Sequence, residues 1–151
     1  MAYKQLRDNI KTLLEELTSS FAEISSVPSM EFSGYPAAFI GVSGNENDFQ
    51  STQDNMRIYS YKIWIFNEYD QTAYATAYDA LLDIAESVIN KLDEQESPDS
   101  AREMANSLDS KYTLAAVEAI PGRFASDEVE KLLAIEITVR CKVLVDLTQL
   151  T

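Results

Sequence analysis

Histidine is absent from this chain of 151 residues, and cysteine occurs once. The lack of histidine excludes Ser-His and Cys-His nucleophilic machinery, and it removes the commonest general base and metal ligand. A single cysteine excludes an intrachain disulfide and favours a cytoplasmic origin. That residue, Cys141, lies on the apolar face of the last predicted strand. This position predicts a buried and inert thiol.

Motifs for phosphate, metal and membrane binding are also missing. The chain has four glycines and contains neither a P-loop nor a GxGxxG stretch. The stretch GVSGN, residues 41–45, lacks the last glycine of a nucleophile elbow, and residues 45–55 lack the spacing and glycine of an EF-hand loop. No apolar run reaches the roughly 18 residues of a membrane span, and the N-terminus is no signal peptide. The sequence therefore predicts no catalytic residue, no cofactor, no metal site and no membrane partner.

Basic residues are scarce: 12 Lys and Arg against 25 Asp and Glu give a formal net charge of −13. Such a charge repels nucleic acid and favours solubility. Residues 68–109 hold eleven carboxylates against Lys91 and Arg102, which places −9 of the charge in this segment. The segment forms either a solvated outer face or a negative surface that repels DNA or docks a basic group. The candidate residues of such a surface are Asp79, Asp83 and Glu86.

Helical periodicity occurs in two long segments. Residues 3–25 and roughly 71–95 each place apolar side chains at steps of three and four, which predicts two amphipathic helices. Ser97 and Pro98 are typical of a helix N-cap and first turn, so a short third helix is expected to follow. Its buried residues would be Ala101, Met104, Ala105 and Leu108.

Alternating polar and apolar residues predict four strands. Their ranges are 35–42, 56–66, 112–120 and 132–147. A polar loop, 43–55, separates the first two strands, and residues 121–128 form the turn of a closing hairpin. Both faces of the strand 56–66 are apolar enough to be covered. The predicted class is α+β: residues 1–151 form a single domain, a largely antiparallel four-stranded sheet with two long helices packed on one face and a short third helix.

The closing strand is unusually long. At about 3.3 Å per residue it would run roughly 50 Å, whereas strands usually reach about 17–20 Å. A strand that extends beyond the core of its subunit exposes apolar side chains and unpaired backbone groups, which promote aggregation unless another subunit covers them. We therefore expect self-association. A bulge near Glu136 would instead break it into two ordinary strands. The candidate oligomer-interface residues are Phe49, Tyr59, Tyr61 and Trp64.

The order of these elements resembles a known family. The stretches that carry the resemblance are YPAAFIGV, RIYSYKIWIFNEYD, AYDALLDIAESVINKL and LAIEITVRCKVLV. They are similar to the tail terminator and tail-completion (head–tail joining) proteins of long-tailed bacteriophages. The resemblance covers nearly the whole chain. It lies in the order of the helices and strands and in their residue patterns rather than in invariant motifs.

This resemblance implies a non-enzymatic structural protein of the virion, assembled in the host cytoplasm and located at the head-proximal end of the tail. It implies a ring, typically a hexamer, that caps the tail tube and provides the head-joining surface. The implied partners are other copies of the chain, the tail-tube protein and a head-completion or neck protein. DNA would pass through the bore without being specifically bound, which gives a use to an acidic surface.

Other interpretations remain open from the sequence. A head-closure or neck adaptor and a tail-tube subunit would share the same order of elements and the same residue patterns. An acidic DNA-mimic inhibitor would fit the net charge, but the two ends of the chain are nearly neutral. An enzyme is the least favoured class because nothing supplies a general base.

Overall fold

The computed structural model forms two α-helices and five strands in the residues that it describes. The described residues are 2–17, 21–26, 32–49, 54–70, 72–96, 103–105 and 108–149. The elements are α1 (Ala2–Glu15), β1 (Glu23–Ser25), β2 (Ala37–Phe49), β3 (Asp54–Glu68), α2 (Tyr74–Asp93), β4 (Tyr112–Asp127) and β5 (Leu132–Asp146). Single 3-10 turns cover Glu94–Glu96, Glu103–Ala105 and Leu147–Gln149.

The strands form one mixed sheet in the order β1-β2-β3-β5-β4. β1 pairs parallel to β2, and every other pairing is antiparallel. The predicted sheet of four strands with three helices was therefore wrong, although the class remains α+β. The sheet has a fifth strand, and the described part of the third helix is a single 3-10 turn.

The first helix was predicted too long because apolar spacing continues beyond its end. α1 ends at Glu15, and the Ala22 N–H donates to the Pro36 carbonyl at 2.7 Å, which carries the chain into β1. Phe21 and Ile24 still pack against the core, but they do so from outside the helix. These residues are apolar because they pack against the core. Their spacing fits a helix, although they do not belong to one.

Two side chains form hydrogen bonds with the backbone of the 3-10 turn Glu103–Ala105. Met104 is fully buried, as predicted. The Asn9 side chain donates to the Met104 carbonyl at 2.8 Å, and the Met104 N–H donates to the Gln95 side chain at 3.2 Å. Ala105 and Leu108 are half-buried against the core, whereas Ala101, with the rest of residues 97–102 and 106–107, lies outside the described residues.

The centre of the sheet is the pair β3–β5, in which each strand is 15 residues long. Their register runs from Asp54 opposite Asp146 to Glu68 opposite Leu132 without a shift. The predicted strand 132–147 is therefore confirmed as one element. The bulge considered near Glu136 lies instead in the neighbouring β4, between Pro121 and Phe124.

Both helices pack on the same face of the sheet, which is the face of the odd-numbered residues of β3 and β5. The buried strand residues of this face are Tyr59, Tyr61, Ile63, Ile65, Leu133, Ile137, Val139, Cys141, Val143 and Val145. Leu6, Ile10, Leu81 and Val88 of the helices join the same core. The even-numbered face of β3, expected to be covered as well, is only partly buried, because both helices lie on the other side.

Two hairpins extend further than predicted. The expected loop 43–55 was wrong, because β2 pairs with β3 as far as Phe49 opposite Asn55, with a bulge between Val42 and Gly44. Polar side chains do not prevent this pairing, since the ladder uses backbone groups. The expected turn 121–128 was also wrong: β4 continues through the bulge after Pro121 as far as Asp127. The chain turns at residues 128–131, where Lys131 adopts a positive φ of 55°.

Candidate assembly surfaces

Two of the four candidate interface residues lie in the core of the subunit. Tyr59 is 4% exposed and Tyr61 is fully buried. The Tyr61 hydroxyl donates to the Tyr3 carbonyl of α1 at 2.7 Å, and the Tyr3 ring packs edge-on against both tyrosines. Burial raises the pKa of Tyr61 well above its usual value. These contacts give Tyr59 and Tyr61 a role in holding α1 on the sheet.

Trp64 lies on the opposite side of the sheet, on a surface that we call the open sheet face. This face comprises Phe39, Met56, Ile58, Lys62, Trp64, Phe66, Glu118, Arg123, Glu136, Arg140, Lys142 and Leu144. Trp64 is half-buried and stands opposite Phe39 in the register. The Phe39 ring lies over Gly41, where an added Cβ would come within 3.1 Å of it. Of the candidate interface residues whose side chains are described, Trp64 alone lies on an accessible surface.

Phe49 is the last residue of β2, opposite Asn55. Its side chain lies outside the described residues, so its proposed role as an anchor stays a prediction.

Charged side chains cross the middle of the open sheet face as two ion-pair clusters. The Glu136 carboxylate lies 3.3 Å from Lys62 Nζ and 3.7 Å from the Arg123 guanidinium. The Glu118 carboxylate lies 2.9 Å from Lys142 Nζ and 3.4 Å from the Arg140 guanidinium. Four basic side chains therefore meet two carboxylates. Sequence reasoning missed this surface, although charges at alternate positions of two long strands were its signature.

Glu136 is the most buried charge of this face, with 7% of its side chain exposed. Within the described residues its Oε2 accepts no hydrogen bond, although the Arg123 guanidinium lies near it. The bulge in β4 lies beside Glu136 and brings Gly122 against β5. An added Cβ at Gly122 would lie 2.8 Å from the Glu136 carbonyl oxygen, so only glycine permits this approach.

Both edges of the sheet offer unpaired backbone in the described part of the chain. β1 pairs only with Ala37, Ala38 and Phe39, so residues 40–49 of β2 have no strand on that side. β4 is the outermost strand at the other edge and is 16 residues long. Val42 on the first edge is 57% exposed and Ile120 on the second is 43% exposed. Long edges with exposed apolar residues are templates for pairing with another chain.

The candidate acidic residues lie on the outer face of α2. Asp79, Asp83 and Glu86 are all exposed, and their spacing of four and three residues places them on one side of the helix. The inner side buries Leu81, Ala85, Val88 and Leu92. The three acidic residues lie on the side of the molecule opposite the open sheet face, and their role as a bore surface stays a prediction.

The remaining site predictions concern Cys141, metal ions and membranes. Cys141 is fully buried, and burial raises the pKa of its thiol to about 12, so the prediction of a buried thiol is confirmed. In the part of the chain that is described, no group of three metal-ligating side chains is close enough to hold an ion. No helix among the same residues has the length and apolar character needed to cross a membrane.

Comparison with known proteins finds similarity in structure rather than in sequence. No protein-family model matches the chain, and no curated protein matches it significantly. Among solved structures, the chain is similar to a chain from the "Virion of native gene transfer agent (GTA) particle". The TM-score is 0.51 and the identity 18%, over 95% of this chain and 91% of that chain. At this identity the match establishes a shared fold over nearly the full length of both chains.

Proposed function

We propose that this chain is a non-enzymatic structural protein of a virion, and specifically a tail terminator. In this role its subunits form a ring that caps the tail tube at the head-proximal end and presents the surface for joining the head. Its partners are further copies of itself, the tail-tube protein and a head-completion or neck protein. The observation that carries the proposal is the fold shared, over nearly the whole chain, with a protein of a virion particle.

The two free sheet edges support assembly from identical subunits. The edge at β2 and the edge at β4 lie at opposite sides of one sheet. A contact between the β2 edge of one subunit and the β4 edge of the next is heterologous, and such contacts generate rings when the rotation closes. The pairing would also cover the exposed side chains of Val42 and Ile120, which removes the hazard of open edges.

The acidic face of α2 supports a position near passing DNA. Asp79, Asp83 and Glu86 are exposed and lie on one side of the helix. If this side lines or rims the bore, its negative charge would let DNA slide through without adhering. The basic residues of the open sheet face lie on the other side of the molecule, where they meet Glu118 and Glu136.

Assembly state is the direct test of the proposal. Light scattering of the purified chain, over a wide concentration range and with and without isolated tail tubes, should reveal rings in solution or on tube ends. Electron microscopy should find one ring at one end of each tube. A strict monomer that never binds tubes would contradict the proposal. Growth of long tubes from the chain alone would assign it instead to the tail-tube subunits.

A further inference from the structure

Four aromatic rings join the start of α2 to the end of the closing hairpin. We call them the aromatic ladder: Tyr69, Tyr74, Tyr78 and Phe124. Tyr69 meets Tyr74 edge-on at 4.9 Å between ring centroids, Tyr74 stacks with Tyr78 at 6.4 Å, and Tyr78 meets Phe124 edge-on at 4.9 Å. Unlike the core tyrosines, Tyr74 and Phe124 remain 39% exposed. Their mutual contacts thus hold ring surfaces in fixed positions while leaving them open to solvent.

Carboxylates are frequent in the sequence on either side of the ladder residues. The sequence places Glu68 and Asp70 beside Tyr69, Asp79 beside Tyr78, and Asp127, Glu128 and Glu130 just after Phe124. The bases of the same segments are Arg123, which pairs with Glu136, and Lys131. Partial burial and the nearby carboxylates of Glu128 and Asp127 raise the pKa of Tyr69. Asp70 and Asp127 already accept hydrogen bonds from backbone N–H groups. Glu128 is exposed and, within the described residues, makes neither a hydrogen bond nor an ion pair.

A cavity of about 450 Å³ opens between the ladder and the hairpin turn. Its walls are Tyr69, Tyr74, Glu128 and Lys131. Aromatic faces attract cations, and a guanidinium group can stack on a ring while it donates two hydrogen bonds to a carboxylate. An apolar ligand would instead remove Glu128 from water without giving it a partner, which costs free energy. The chemistry of the walls therefore fits the end of an arginine side chain.

Of the five arginines of this chain, Arg7, Arg123 and Arg140 form ion pairs within the subunit, and Arg57 donates to the Tyr59 hydroxyl. Seven of its basic side chains already form ion pairs with its own carboxylates: Arg7, Lys11, Lys62, Lys91, Arg123, Arg140 and Lys142. With a net charge of −13, this chain attracts a basic partner more strongly than a second acidic copy. A basic segment from a different protein is the better match.

We propose that the aromatic ladder and Glu128 form a docking site for an arginine-bearing segment of another virion subunit. The proposal rests on the proposed function only in the identity of the partner as a virion protein. It requires neither a ring nor a particular ring number. Lys131 lines the same cavity, and its positive charge opposes the incoming arginine.

The test uses two synthetic peptides, acetyl-Ala-Arg-Ala-Arg-Ala-amide and its counterpart with glutamine for arginine, titrated into the full chain by calorimetry and NMR. We expect the arginine peptide alone to bind and to shift the Tyr69 and Tyr74 resonances. Tyr74→Leu, which keeps an apolar side chain and removes the ring, should weaken binding about two- to fivefold. Glu128→Gln should also weaken binding, whereas Lys131→Ala should strengthen it.

Asp93→Asn is the matched control, because it removes one exposed carboxylate at the far end of α2 from the ladder. Equal weakening by Asp93→Asn and Glu128→Gln would reduce the effect to net charge and overturn the proposal. So would the absence of arginine-peptide binding, or equal binding of the glutamine peptide. If Glu128→Gln lowers self-association instead, the occupant is a second copy and the proposal is wrong. Tube capping is measured separately, so failure of the ring proposal leaves the peptide result interpretable.

Discussion

The Tyr61 hydroxyl shows how one buried polar group determines where a helix lies. It is fully buried between β3 and α1, and its only described partner is the Tyr3 carbonyl at 2.7 Å. We expect Tyr61→Phe to lower the free energy of unfolding by about 1 kcal/mol, because the hydrogen bond to the Tyr3 carbonyl is lost. Denaturant titration measures this change. Tyr74→Phe is the control, since it removes an exposed hydroxyl, and an equal loss in both variants would contradict this account.

The cluster around Glu136 contains two basic residues of unequal importance. The Lys62 side chain is 41% exposed and lies at 3.3 Å, whereas Arg123 is 79% exposed and lies at 3.7 Å. Lys62→Met should therefore cost about 1–2 kcal/mol of stability, because it leaves a buried carboxylate with a distant partner. Arg123→Met should cost almost nothing, as exposed pairs contribute little. Thermal melts of the two variants decide the order, and a reversed order would show that Arg123 is the true partner.

The bulge in β4 is the element whose geometry depends most on one residue. Gly122→Ala places a Cβ 2.8 Å from the Glu136 carbonyl oxygen, a backbone atom that cannot turn aside as a flexible side chain would. We expect a loss of about 1–3 kcal/mol in stability, comparable to overpacking a core. Arg123→Ala, at the exposed neighbouring position, controls for the loss of the side chain next to the bulge. An unchanged midpoint in Gly122→Ala would mean that the bulge adapts freely.

The two edge strands can be tested without disturbing the core. Val42 and Ile120 are exposed, so Val42→Lys and Ile120→Lys should change the stability by less than about 0.5 kcal/mol. A lysine on an edge opposes strand addition, so each variant should lower the self-association measured by light scattering. Val129→Lys is the control, because Val129 is 89% exposed in the hairpin turn rather than on an edge. Equal effects at all three positions would exclude edge-specific pairing.

Sequence alone predicted the elements whose pattern comes from burial on one side. The alternation in β5 and the aromatic residues of β3 identified the two central strands, because one face of each packs beneath the helices. The polar half of β2 was missed because it is held by backbone pairing. Such pairing does not require a pattern of apolar side chains that the sequence would show. β1 was missed because three residues are too few to show a period. The buried Tyr59 and Tyr61 were placed at an interface because aromatic content does not reveal which face α1 covers.

At the scale of the whole molecule, the acidic face of α2 and the ion-pair clusters of the open sheet face lie on opposite sides. Neutralising Asp79, Asp83 and Glu86 to their amides should leave the melting temperature nearly unchanged, because exposed carboxylates contribute little to stability. The free variant remains strongly acidic, so we expect an effect only where many copies meet DNA. Tail capping should persist while the efficiency of DNA passage, measured as infectivity, falls in a salt-dependent way.

A second triple variant distinguishes the acidic face of α2 from net charge in general. Glu68→Gln, Asp93→Asn and Glu130→Gln together remove the same amount of charge from exposed positions elsewhere. The control should not change infectivity. Equal results for the two triple variants would make the acidic face of α2 an ordinary solvated surface.

The unbroken register of β3 with β5 also has a mechanical consequence. If the chain lies at the junction of head and tail, as proposed, it would be loaded by force when the particle ejects its DNA. When two antiparallel strands are pulled along their axes, every hydrogen bond between them is loaded at the same time. The pair spans 15 residues on each strand without a bulge, whereas β2 and β4 are each interrupted. Force along the sheet would therefore be resisted at its centre, and single-molecule stretching should break the outer strands away first.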